Sequence, residues 1–410
     1  MLIKNIKGLV QTRTADESQN PLKGEVLKKL PIIENAFLLL KDDRIAAYGK
    51  MEDCPTYEGE VIDAKDRFVL PTWVDSHTHL VFAAPREEEF VMRLKGKSYQ
   101  EIAAAGGGIL NSAKKLQEKS EEELFDDAWG RLQEVIRMGT GAIEIKSGYG
   151  LNTEAELKML RVIRELKKES PIPIKATFLG AHAFPAEYKD NHQGYVDLVV
   201  NEMLPQIAEE GLADYIDAFC EKVAFSVDET RQVIEAGAKH GLKAKVHTNQ
   251  FNCMGGIELC VEQNALSVDH LEVVNETEIK ALQGSSTLAT LLPSAPFFLS
   301  DPYQPARALI DADIPVVLAS DYNPGSTPSS NMNLVVALAC IKLKMTPEEA
   351  INAATLNGAF ALELEKDYGS IEVGKKANLI LTKKIPSVGY IPYAFGSNHI
   401  DEVIINGKVY

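Results

Sequence analysis

The segments TGAIEIK (140–146), TEAELKMLRVIRELKKE (153–169) and IPIKATFLG (172–180) decide the fold of this chain. The first and third are short apolar runs, and the middle one repeats its apolar positions with a helical period. Strand, helix and strand in about forty residues make a βαβ unit, which sets the two strands parallel in one sheet. The helical segment opens with Thr153 and carries Glu156 three residues on, the spacing of a capping box.

The same alternation continues on both sides. Further strand candidates are LPTWVD (70–75), YIDAFC (215–220), KAKVH (243–247), ALSVD (265–269), TLATLL (287–292) and IPVVLAS (314–320), with a second amphipathic helix in VDETRQVIEAGAKHG (227–241). Eight strand units in about 295 residues (71–365) predict an α/β fold closed as a (β/α)8 TIM-like barrel, in preference to an open doubly wound sheet. The two ends of the chain differ in texture. LIKNIKGLVQT (2–12), AFLLLKDDRIAAYG (36–49) and EVIDAKDRFVLP (60–71) are short strands between charged or Gly-containing turns, and GSIEVGKKANLILTK (369–383) and EVIINGKVY (402–410) repeat that texture. Residues 1–70 and 366–410 are therefore expected to pair into one small β-sandwich domain beside the barrel. No GxGxxG or GxxxxGK[ST] occurs. The Gly106-Gly107-Gly108 cluster has no phosphate-binding lysine after it and reads as a flexible loop.

Composition narrows the partners. With 410 residues, 45% hydrophobic and 25% charged, the chain can bury a substantial core. Its net charge of −16 argues against nucleic acid or an anionic membrane surface, which both call for a basic footprint. An anionic substrate would be repelled by that field, so it requires a local cation in its site. The five cysteines are scattered, odd in number and without CxxC spacing, which argues against a disulfide framework or a cysteine zinc site and suits a reducing cytoplasm. Charges interrupt every apolar stretch of MLIKNIKGLVQTR, so no secretory h-region is read there, and no apolar run approaches the ~18 residues of a membrane helix.

Histidine is scarce, at 8 residues, and its placement carries the chemistry. His77 and His79 form HxH after the first barrel strand, and residues i and i+2 of an extended segment face the same way. His182 follows strand three, His247 ends strand five, His270 ends strand six and Asp321 ends strand eight. In a barrel these ends converge on one rim, where active sites are built. Taken singly, a strand-end His is more often a hydrogen-bonded structural residue and a strand-end Asp a turn cap. Five histidines and an aspartate all falling after strands point instead to a metal-dependent hydrolase. His192, His240 and His399 fall elsewhere and read as ordinary surface or packing residues, and Glu221, ending strand four, reads as structural.

On these residues the chain resembles the amidohydrolase superfamily, with its HxH on strand one, His on strands five and six, Asp on strand eight and a β-domain built from both termini. Within it the chain is similar, over essentially its whole length, to the family that opens the imidazolone ring in histidine degradation. That likeness rests on VDSHTHLVFAAPREEEF (74–90), SYQEIAAAGGGI (98–109), EIKSGYGL (144–151), FLGAHAFP (178–185), VHTNQF (246–251), VDHLE (268–272) and ASDYNPGS (319–326). The resemblance implies hydrolysis of the cyclic amide C–N bond of 4-imidazolone-5-propanoate to N-formimidoyl-L-glutamate by a metal-activated water. It implies one zinc or iron ion per subunit on His77, His79, His247 and Asp321, donors that suit either metal. Arg86 would bind the propanoate carboxylate bidentately, as a guanidinium can. Tyr99 and Tyr149 would surround that tail, His182 and Gln250 would contact the ring, and Asn323, Gly325 and Ser326 would line the far side. A homodimer is implied as well.

The chemistry agrees with that likeness, because a cyclic amide resists neutral water whereas a metal lowers the pKa of bound water to about 7. Gln250 stands where some members of the family carry Glu. Glutamine has no titratable group, so proton transfer falls to His270 or Asp321, and the expectation is that His270 activates or orients the water while Gln250 holds the ring. Other readings stay open. A cytosine or guanine deaminase or a cyclic imidase would share the metal site but need no carboxylate clamp, leaving Arg86 a solvent-exposed neighbour of Glu87, Glu88 and Glu89 and the tyrosines core residues. A catalytically silent scaffold relative would usually lose metal ligands, and here all four are present.

Overall fold

The computed structural model of the chain describes residues 1–97, 101 and 107–410. Five strands precede the barrel: β1 (Leu2–Val10), β2 (Ile32–Lys41), β3 (Arg44–Lys50), β4 (Val61–Asp63) and β5 (Phe68–Pro71). The barrel strands are β6 (Trp73–Asp75), β7 (Thr140–Lys146), β8 (Ile174–Ala181), β9 (Tyr215–Cys220), β10 (Lys243–Thr248), β11 (Ser267–His270), β12 (Leu288–Leu291) and β13 (Val316–Leu318). The chain ends with β14 (Leu379–Thr382), β15 (Ile400–Ile405) and β16 (Lys408–Val409). All eight strand candidates of the middle region are barrel strands, parallel and each bonded to the next from β6 to β13.

The ring closes just beyond the ends of its first and last strands. Thr78 bridges Tyr322 in parallel, Asp321 N donates to His77 O at 3.0 Å, and His79 N donates to Tyr322 O at 2.8 Å. Ser320 reinforces this seam, its N and Oγ donating to the two oxygens of Asp75 at 2.9 and 2.6 Å. Alternation along each strand sorts the side chains. Ile143 and Ile145 of β7 join the apolar layer with Leu160 and Ile163 of the helix Thr153–Glu169. Glu144 and Lys146 face the other way, into the barrel, where Lys146 meets Asp217 of β9 and Asp269 of β11.

The terminal strands form one mixed eight-stranded sheet, ordered β16-β15-β14-β5-β1-β2-β3, with β4 pairing Leu2–Lys4 of β1 on the edge opposite β2. Arg44 bridges Lys376, and Ile45 N donates to Lys375 O at 2.9 Å, so the sheet folds back on itself. It encloses a core of its own that includes Ile3, Ile6, Leu9, Leu38, Val69, Leu379 and Ile404. Among the described residues no helix is long and apolar enough to cross a membrane, and all five cysteines are free.

One local expectation is corrected. The helix Thr153–Glu169 is capped by Asn152, whose Oδ1 accepts from Ala155 N at 2.9 Å, and not by Thr153. Glu156 is fully buried and accepts instead from Gly148 N, Gly150 N and Leu151 N at 3.0, 2.7 and 3.0 Å. Three amides of the preceding loop outcompete the single cap amide that a capping box would offer this carboxylate.

Candidate metal centre and active site

The strand ends deliver their side chains to one point. His77 Nε2 lies 3.0 Å from His247 Nε2, and His247 Nε2 lies 3.3 Å from His79 Nε2. Asp321 Oδ1 stands 3.6 Å from His77 Nε2 and 3.7 Å from His79 Nε2. All four residues are buried. On the far side of the rings, His77 Nδ1 donates to Asp269 Oδ2 at 2.6 Å and His247 Nδ1 to Asp217 Oδ2 at 2.8 Å. Those bonds fix the tautomer and leave bare lone pairs on the converging Nε2 atoms. Burial first, then the Lys146 ammonium, holds His77 and His247 well below the ordinary histidine range, and burial with its histidine neighbours does the same for His79. Neutral imidazoles facing one another at these distances repel unless a cation lies between them, so the donor set fits a metal ion of the kind bound by N and O ligands.

Two further groups flank this centre. The His270 ring centroid is 5.2 Å from that of His247 and 5.8 Å from that of His77. Its Nδ1 faces Glu272 Oε1 at 3.3 Å, and Gln304 Nε2 donates to the same oxygen at 2.9 Å. Burial pulls His270 down, but Glu272, Asp321 and Asp269 outweigh it and raise the imidazole to about 9. Asp321 is pushed up by burial to about 6, with His270 opposing. The backbone here is in the left-handed region, with φ of 93° at His270, 64° at Leu271 and 56° at Asp321, conformations that persist only where surroundings enforce them.

The expected substrate residues form the wall above. His182 stacks on His79 with centroids 5.4 Å apart, and Tyr149 lies 5.5 Å from His182 and 5.8 Å from His79. His182 Nδ1 bonds to Gly148 O at 2.9 Å, and burial lowers the imidazole to about 4. Gly148 is required there: its φ is 109°, and a Cβ would come within 2.9 Å of His182 Nδ1. The Arg86 guanidinium sits 5.9 Å from the Tyr149 ring, with Nε donating to Ser112 Oγ at 2.8 Å. A Cβ on Gly325 would lie 2.7 Å from Arg86 Nη1, so a side chain there would push the end of the guanidinium aside. Asn323 shapes the turn: its Oδ1 accepts from Gly325 N and Ser326 N, both at 2.8 Å, and its Nδ2 donates to Asp321 O at 2.7 Å. Ser326 Oγ reaches Asp321 Oδ2 at 3.3 Å.

His77, His79, His247, Asp321, His270, His182, Tyr149, Arg86, Asn323, Gly325 and Ser326 are thus one neighbourhood. Gln250 follows on the loop after β10, half-buried, in a segment that Glu221 holds by accepting from Phe251 N at 2.9 Å and Asn252 N at 3.2 Å. Glu221 has the structural part expected of it. Tyr99 and Gly106 lie outside the described residues. His192 stacks on Phe184 at 3.7 Å at the surface, His240 ends the helix Val227–Lys239, and His399 bonds Ala394 O at 3.0 Å. What sequence reading missed is the charged floor of the site, Glu144, Lys146, Asp217, Lys245 and Asp269, all fully buried. The available signal was charged residues at alternating positions within otherwise apolar strands, since such a face can be buried only if it is paired.

Comparison with known proteins gives the family. The family model described as "Amidohydrolase family" matches residues 68–410. A protein named imidazolonepropionase from Christiangramia forsetii is 57% identical over 412 aligned residues, covering 100% of this chain and 99% of its own. One of the same name from Flavobacterium johnsoniae is 58% identical, with 100% and 99% covered. Among solved structures, a triazine hydrolase variant superposes with a TM-score of 0.75 at 16% identity, covering 100% of this chain and 94% of that one, a likeness of fold alone.

Proposed function

Since the chain belongs to the amidohydrolase family, in its imidazolonepropionase branch, we propose that it hydrolyses 4-imidazolone-5-propanoate to N-formimidoyl-L-glutamate in histidine catabolism. The observation that carries the reading is the Arg86 guanidinium, 5.9 Å from the ring of Tyr149, which itself lies 5.8 Å from His79 of the converging donors. The Arg86 Nε donates to the neutral Ser112 Oγ at 2.8 Å, although Glu87, Glu88 and Glu89 follow it directly. A guanidinium on the rim of a chain with net charge −16 is what a small anionic substrate requires.

One zinc or iron ion on His77, His79, His247 and Asp321 would supply Lewis acidity, polarising the ring carbonyl and lowering the pKa of water there. The chain's own residues do the rest. Arg86 and the Tyr149 hydroxyl, with Tyr99, hold the propanoate tail, and His182 and Gln250 hold the ring against the centre. Asn323, Gly325 and Ser326 shape the turn behind Asp321. Gln250 cannot take a proton, so His270, backed by Glu272, orients the attacking water and handles its proton. A positive charge at the ligand set would draw His270 down from about 9, toward the range where proton transfer is efficient. Attack at the ring carbonyl carbon, cleavage of its C–N bond and proton delivery to the departing nitrogen complete the hydrolysis. The same family membership carries the expectation of a homodimer, which light scattering on the purified chain tests.

The deciding experiment follows loss of imidazolone absorbance with metal-analysed protein, wild type against Arg86→Ala. Loss of a charge-assisted contact worth ~2–3 kcal/mol should lower kcat/KM on the order of 100-fold, mostly through KM, with metal content unchanged. If metal-replete wild type leaves the compound intact, the substrate assignment fails. Equal turnover of a neutral heterocycle by both proteins would point to a deaminase or cyclic imidase instead.

A further inference from the structure

Beneath the ligand set, Lys146 is a fully buried lysine that the proposed reaction does not use. Its Nζ lies 3.0 Å from Glu144 Oε1, 2.9 Å from Asp217 Oδ2 and 3.9 Å from Asp269 Oδ2. Those two aspartate oxygens are the ones that accept from His247 Nδ1 and His77 Nδ1. One ammonium therefore faces both carboxylates that orient two of the four converging ligands. The other buried lysine, Lys245, also faces Asp269, at 4.0 Å, while donating to Ser267 Oγ at 3.0 Å and Ala361 O at 3.4 Å, but only Lys146 reaches Asp217 as well.

We infer that Lys146 is the positioning residue of the metal centre: it pins Asp217 and Asp269 in place, and through them aims His247 and His77 at the ion. The inference rests on the metal reading above and adds a part to it. Two buried carboxylates without a shared counter-ion repel each other and move apart. Their histidines then lose the hydrogen bonds that hold each ring, and loss of such outer partners typically weakens metal binding ~10–100-fold. Simple electrostatics gives the opposite sign, because deleting a cation near a cation site favours occupancy. The direction of the change thus separates positioning from mere charge.

The test is zinc affinity, measured by competition with a chromophoric chelator, for wild type and Lys146→Met, each verified as folded by circular dichroism. The expected result is zinc bound ~10–100-fold more weakly by the folded variant, with the metal-free protein less stable as well, since Glu144, Asp217 and Asp269 lose a buried counter-ion. Unchanged or tighter binding overturns the inference. Should Lys146→Met alone not fold, Lys146→Met combined with Glu144→Gln carries the test, since it also removes the charge left without its partner. If Lys146 served only to neutralise Glu144, the double variant would regain wild-type affinity; acting through Asp217 and Asp269, it stays weak. Tight zinc in wild type with no loss in the variants sinks this inference alone, whereas wild type that takes up no zinc sinks the metal reading with it.

Discussion

At the scale of single residues, Glu156 shows how a site is held from behind. Its carboxylate gathers three amides of the loop that carries Tyr149, and Gly150 is packed so tightly against it that a Cβ would lie 2.4 Å from Glu156 N. Glutamine at this position keeps the shape but swaps one acceptor oxygen for a donor that faces other donors. Glu156→Gln should therefore cost about 1–3 kcal/mol in a urea titration, the penalty of unsatisfied buried donors, and should lower kcat/KM with no change in metal content. Full stability in that variant would mean that the loop does not depend on Glu156. Strain is treated in a comparable way at Asp321, whose left-handed backbone is fixed by bonds to His77 O and from Asn323 Nδ2.

At the scale of elements, the helix Thr153–Glu169 gives a clean comparison. Asn152→Ala removes the side chain that caps it and should cost about 1 kcal/mol. Thr153→Ala removes an exposed contact to Glu202 and should stay within about 0.5 kcal/mol. Chemical denaturation of the two variants decides between them, and the reverse order would restore the capping-box reading. That misplaced cap marks a general boundary of what sequence makes legible. The eight barrel strands were readable because strands buried on both faces are short apolar runs bounded by turns. The convergence of the donors was readable because HxH and the strand-end His and Asp stand at positions that any parallel barrel brings to one rim. Asp217, Asp269, Lys146 and Lys245 were not, because their meaning lies across the barrel. His247 is in register with Asp269 of the next strand, and Lys146 meets residues of two strands that follow much later in the chain. Alternation within each strand marks these residues as one buried charged face, but which of them meet is fixed by closure and leaves no local pattern. Glu156 failed for the related reason that a competing set of donors lay upstream of the helix, at no characteristic spacing.

At the scale of the molecule, the converging donors come from the ends of β6 and β10 and from the turn after β13, and two of those elements form the closing seam of the ring. An ion held there ties first strand to last, so its free energy of binding is added to that of the fold. Dialysis against a chelator should lower the melting temperature, and zinc or ferrous ion should restore it. A ligand at a thousand times its Kd stabilises by about 4 kcal/mol, enough to be plain in a calorimetric scan. Identical melting with and without metal would argue that the four donors do not form a binding site.

The seam has a further consequence for how the protein comes into being. Asp321 follows His77 by more than half of the chain, and the two meet only through the closure that Thr78 and Tyr322 make. Chains emerge from the ribosome N-terminus first. During most of synthesis, the nascent chain displays His77 and His79, and later His247, without the carboxylate that completes the set. A metal held by this set would therefore be loaded only once Asp321 has emerged and the ring has closed, and a chain truncated before Asp321 would carry the histidines without the complete donor set.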